Sequence, residues 1–141
     1  MSNPRSGEST STAVTIERTL DLSALLGDWR NTNDAATGIA RLLLTQAGDQ
    51  IFARIFGAGH PDPFDWGEAP AEVFAEIPES MQPTSFTFYY DLGFMSVWLQ
   101  TYLAKGVLVV VSFTRFQDSS GRSNYFGKEF FFRSQNPVAV R

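Results

Sequence analysis

The chain has no cysteine and a single histidine, and these two shortages exclude more chemistry than any other feature of the sequence. Without cysteine there is no disulfide, thiolate metal site or cysteine nucleophile. One histidine, His60, with scattered carboxylates falls short of the ligand density of ordinary metal sites, so no metal is expected. Charge is scarce too: 18% of the residues are charged, the net charge is −4 and the pI is near 4.9. No basic run is present to neutralise phosphates or anionic lipid, which argues against nucleic acid as a partner. The first residues lack both a basic segment followed by an apolar one and any stretch long enough to cross a bilayer, so a cytoplasmic protein with no membrane association is expected. Phosphate-binding glycine loops, dinucleotide fingerprints and Gly-x-Ser-x-Gly elbows are missing as well, and no cofactor is expected.

Aromatic side chains are abundant instead. The 141 residues include 13 Phe, and 43% of the chain is hydrophobic, which suits one domain with a substantial core. Residues 1–19 are rich in Ser and Thr and read as a flexible tail, 20–134 as the domain, and 135–141 as a C-terminal tail. Asp21 to Leu26 predicts a short N-terminal helical turn capped by Asp21. From there the apolar pattern and the Gly, Asp, Asn, Ser and Pro punctuation predict strands over 26–32, 38–46, 50–57, 69–77, 84–91, 94–103, 106–116 and 124–133. The fold class expected is all-β, an eight-stranded antiparallel up-and-down barrel, whose interior leaves room for one small ligand. Several strands are apolar on both faces, among them Phe86 to Tyr90, Val107 to Phe113 and Phe126 to Phe132. Their outward faces call for a partner, and a homodimer through the sheet exterior is expected, with the N-terminal tail as the other candidate cover.

Gly27-Asp28-Trp29 at the first strand, preceded by a helical turn and followed by the strand run, resembles the lipocalin and calycin superfamily. That resemblance implies a structural role for Gly27 and Trp29, with Trp29 closing the barrel floor and a late-strand arginine packed over its ring. Arg133 is the matching candidate and Arg115 the second. The Gly-x-Trp-x-Asn form and the strand Gly38 to Thr45 also resemble the opening of avidin-type barrels. Trp29 to Thr32, Asp65-Trp66-Gly67 and Leu92 to Met95 together are similar to small actinobacterial barrel proteins, loosely akin to cofactor-free cyclases and dehydratases of polyketide pathways.

Residues 57–68 bring His60, three carboxylates and an aromatic pair into one loop. His60 could accept and deliver a proton and Asp65 could orient it, while the same residues also serve as ordinary turn formers. A second constellation lies on strands. Phe52, Arg54 and Phe56 alternate, as do Phe86, Phe88 and Tyr90, with Tyr89, Trp66, Trp98 and Glu129 nearby in the expected sheet. Should these faces point inward, they form an aromatic lumen in which Arg54 binds an enolate or carboxylate and Tyr89 or Tyr90 donates a proton. The same residues also have a structural reading, in which Arg54 and Glu129 face solvent or pair together and the Phe and Tyr residues are only core. The expected catalytic set is thus His60, Asp65, Arg54 and Tyr90, and the expected ligand-binding set is Phe52, Phe56, Trp66, Phe88, Tyr89, Trp98 and Glu129. The function read from them is binding of a hydrophobic, polycyclic or aromatic natural-product intermediate and its cofactor-free cyclisation or dehydration. The alternative is a noncatalytic carrier or sensor using the same pocket.

Overall fold

A computed structural model describes residues 19–59 and 64–134. The expected tails, apart from Thr19, and His60 lie outside the described residues. Nine antiparallel strands are described: β1 Gly27–Asn31, β2 Ile39–Ala47, β3 Gln50–Gly57, β4 Phe64–Pro70, β5 Glu72–Phe74, β6 Ser85–Asp91, β7 Met95–Ala104, β8 Val107–Phe116 and β9 Tyr125–Arg133. They form one sheet in the order β4-β3-β2-β1-β9-β8-β7-β6-β5. Neighbours in the chain are neighbours in the sheet with two exceptions: the first strand also pairs with the last, and β4 and β5, consecutive in the chain, stand at the two ends of the sheet. Lys105 and Gly106 illustrate how local chemistry sets the register: both have positive φ, as a two-residue hairpin between Ala104 and Val107 requires.

Two expectations are corrected. The count is nine strands rather than eight, because the strand expected at 69–77 begins at Phe64 and is divided at Ala71. Phe64–Pro70 pairs with β3, whereas Glu72–Phe74 pairs with β6. Proline has no N–H with which to continue a ladder, and the chain passes from one neighbour to the other just after Pro70. Ala71 still donates its N–H to Ile51 O at 2.8 Å. This change of partner brings the two ends of the sheet together and nearly closes the barrel. The second correction concerns the N-terminal helix: Leu22 O accepts from Leu25 and Leu26 N–H, and Asp21 Oδ1 from Ser23 N–H, which makes one turn and no helix.

The interior follows the period-two alternation of each strand. Leu42 and Leu44, Ala53 and Ile55, Phe86, Phe88 and Tyr90, Val97 and Leu99, Leu108 and Val110, and Phe131 are all buried in one cluster. At the lower end Trp29 is 1% exposed and donates its indole N–H to Leu25 O at 2.9 Å. The Arg133 guanidinium stands 4.8 Å over the Trp29 ring and donates to Ala24 O, so turn, indole and arginine make a solid floor. Gly27 has φ +147°, a backbone conformation that favours glycine, and a Cβ there would stand 3.5 Å from Arg133 Nε, an ordinary contact.

The exterior has two unlike halves. Over β1 to β4 the outward side chains include two paired charge clusters, Arg30 and Arg41 on Asp28 and Arg54 on Asp65. Arg30 and Arg41 each place a two-pronged guanidinium on Asp28, with all four hydrogen bonds at 2.9–3.0 Å. Burial opposes ionisation of Asp28, and the arginine hydrogen bonds outweigh it, holding the carboxyl below its ordinary value. Over β6 to β9 the outward side chains are largely aromatic.

The lowered carboxyl of Asp28 sets a pH dependence. A folded-state value below the unfolded one, about 3.9, contributes stability above that pH and loses it as pH falls further. Asp28→Asn is expected to lower stability at neutral pH by about 1–2 kcal/mol, the low side of charged hydrogen bonds because both arginines keep solvent contact. It should also flatten the acid limb of a stability–pH curve measured by denaturant titration. An acid limb as steep as wild type would assign the loss to other carboxylates.

Candidate functional site

The upper end of the barrel is open where the lower end is filled. A cavity of about 400 Å³ lies there, lined from β2, β3, β4, β7, β8 and β9. Small residues create it: Gly57 on β3 and Gly127 on β9 take inward positions without a side chain, and Gly38 borders it just before β2. The absence of a side chain at Gly57 has a specific use, since a Cβ there would meet Trp66 Nε1 at 3.0 Å. The indole N–H edge therefore comes close to the β3 backbone at Gly57, and Trp66 forms part of one wall. Gly127 faces Ser112 in register, and a Cβ would stand 2.7 Å from Ser112 Oγ.

Met95, Val97, Phe64, Trp66 and Tyr125 supply the apolar surface, and Ser112, Thr114 and Thr37 supply hydroxyls. Among the described residues lining the cavity, Glu129 is the only one with a charged side chain. Its Oε2 accepts from Asn31 Nδ2 at 3.0 Å, and Asn31 is itself held by donating to Ile39 O at 2.8 Å. Oε1 accepts no protein hydrogen bond among the described residues. The carboxylate is thus oriented from one side and open on the other.

Trp66 owes its position to a bulge. Opposite Ile55 on β3, β4 carries both Trp66 and Gly67, and the register slips there. Gly67 has φ +85°, a value glycine adopts without strain. The slip leaves the Ile55 N–H and Gly67 O without ladder partners, and the Tyr90 hydroxyl from β6 takes both. It accepts from Ile55 N–H at 3.1 Å and donates to Gly67 O at 2.7 Å. Its ring meets Trp66 edge-on at 5.4 Å. Burial pushes the Tyr90 phenol up to about 12.

The sequence-predicted residues are distributed as follows. Trp66 and Glu129 line the cavity. Phe88 is buried in the core below, and Tyr90 lies behind Trp66 with its hydroxyl in the seam between β4 and β6. Phe52, Arg54 and Phe56 alternate with the buried Ala53 and Ile55 and face outward. Arg54 is ion-paired with Asp65 in a two-pronged contact, Nε to Oδ1 at 3.0 Å, and both Arg41 and Arg54 lie over the Phe56 ring. Hydrogen bonding from Arg54 holds the Asp65 carboxyl below its ordinary value. Tyr89 and Trp98 pack on each other outside the barrel, ring centroids 4.9 Å apart. His60 lies outside the described residues. Sequence reasoning places Tyr125 beside Glu129 without counting it in the ligand-binding set, and it missed Ser112, Thr114 and Gly127. Among the described residues no group of His, Asp and Glu is arranged to hold a metal ion, and no helix is long and apolar enough to cross a membrane. Comparison with known proteins finds no matching family model, no matching curated protein and no matching solved structure.

Proposed function

We propose that this calycin-like barrel is a small-molecule binding protein whose open end takes a compact, mainly apolar ligand carrying a protonated nitrogen. The observation that carries this reading is the setting of Glu129, an oriented carboxylate with a free oxygen at the wall of a cavity that also presents Phe64, Trp66 and Tyr125. Aromatic faces and a carboxylate both attract a cation, and no cationic side chain among the described lining residues would hold an anion. The volume, about 400 Å³, is at the small end of ligand pockets. Binding is favoured over cyclisation or dehydration because Arg54 and Asp65 neutralise each other on the outer face and the Tyr90 hydroxyl is occupied by backbone groups.

A matched set of probes tests the reading: naphthylethylamine, naphthylethanol and naphthylacetate, followed by amide NMR shifts. The amine is expected to bind about tenfold more tightly than the alcohol, the worth of one charge-assisted hydrogen bond. The shifts should centre on Ser112, Thr114 and Gly127, and the acetate should not bind. In Glu129→Gln amine and alcohol should bind alike. Equal binding of all three to wild type would remove the cation, and shifts confined to other surfaces would remove the cavity itself.

A further inference from the structure

The outward face of β6 to β9 has no use in the ligand site, yet it is the most unusual surface of the molecule. Strand register sets Tyr89 beside Trp98, Trp98 beside Phe113 and Phe113 beside Phe126, one ring from each of four strands. Tyr89–Trp98 and Phe113–Phe126 centroids are 4.9 and 5.3 Å apart. Four residues along, Tyr102, Val109 and Phe130 form a parallel row. Exposure of the six rings runs from 41% at Tyr89 and Tyr102 to 58% at Phe126. Between the rows, Thr87, Gln100 and Val111 are uncharged and Lys128 is the one charge of that row.

The area of this face decides its use. At roughly half exposure, six aromatic side chains that each bury about 150–250 Å² leave about 450–750 Å² open. A typical monomer's largest apolar patch is about 300–600 Å², and one side of a standard interface is about 800 Å². With Phe132, the next outward ring on β9 at 49% exposure, the face reaches interface size. The geometry points to a two-fold homodimer in which this face packs on the same face of a second copy. Face-to-face sheets align at about 30° and interdigitate their side chains, and an isologous contact needs no charge complementarity between partners. A two-fold axis near Trp98 and Phe113 also sets Lys128 against the Thr87 end of the other row, away from its own copy. Anionic lipid fits less well, since membrane-surface binding draws on clusters of Lys and Arg and the chain carries net charge −4.

Light scattering on the full chain, with Trp98→Glu, Phe113→Glu and Phe52→Glu variants checked for folding by circular dichroism, tests the inference. Wild type at micromolar concentration should show twice the 15.7 kDa chain mass. The Trp98 and Phe113 variants should fall to half the wild-type mass, whereas Phe52→Glu, which changes a ring on β3 in the other half of the barrel, should not. A folded Trp98→Glu variant that keeps the double mass overturns the inference. So does a monomeric wild type: sedimentation with phosphatidylglycerol vesicles would then assign the face to a membrane, and its absence would assign it to another cover.

Discussion

Trp29→Ala is expected to lower folding stability by about 3–5 kcal/mol, the usual range for truncating a large buried aromatic. For a domain of this size that corresponds to a fall in melting temperature of about 10–20 °C. Three losses coincide at this position. The cavity left by the indole lies at the barrel floor, in the same buried cluster as Leu25 and Phe131. Leu25 O loses its donor, and the Arg133 guanidinium loses the ring it covers. Trp29→Phe restores a ring without the donor and should recover more than half of the loss. Scanning calorimetry on the three proteins checks the ordering, and a Trp29→Ala melting point equal to wild type would show that the floor does not support the barrel.

Tyr90→Phe is expected to cost about 2–3 kcal/mol although it removes a single oxygen. The buried Ile55 N–H and Gly67 O would both be left without partners, each an expensive state. Linkage gives a second signature. The phenol is raised in the folded protein to about 12, against about 10 in an unfolded chain. Stability tied to the neutral phenol is thus complete below about pH 10 and is lost as pH rises toward the folded value. Wild type should weaken across that alkaline window, and Tyr90→Phe, already weaker at neutral pH, should weaken less steeply. Urea titrations at neutral and alkaline pH distinguish this from a simple packing defect, for which the two slopes would be the same.

What could be read from the sequence, and what could not, follows from how many strands each feature needs. Gly27 and Trp29 mark the first strand by local pattern, and most strand limits agree within a few residues because turn chemistry is local. The stretch around Asp65-Trp66-Gly67 read as a loop for the same reason: Asp and Gly are turn formers. In the fold, Asp65 meets Arg54 and Gly67 makes a bulge, contacts that exist only once β3 is alongside. The phase of β3 was ambiguous because Phe52-Arg54-Phe56 and Ile51-Ala53-Ile55 both offer an apolar stripe. The narrower aliphatic set is the one that fits the interior. Trp66 and Glu129 stand out as an aromatic and a charge in apolar surroundings, but Gly57, Gly127 and Ser112 do not. A cavity is volume missing across several strands at once, and no single strand records it.

The pairing of the first strand with the last governs when the cavity can exist. Asn31 and Glu129, bonded across β1 and β9, are 98 residues apart, and contacts between such distant positions place a protein among the slower, millisecond-to-second folders. Eight of the strands can emerge from a ribosome without the carboxylate that faces the mouth. Only when residues 125–133 have left the exit tunnel can β9 slot between β1 and β8 and bring Glu129 to Asn31. Until β9 is in place the sheet is open between β1 and β8 and the cavity lacks the wall that carries Glu129, so cavity and carboxylate are completed in one step.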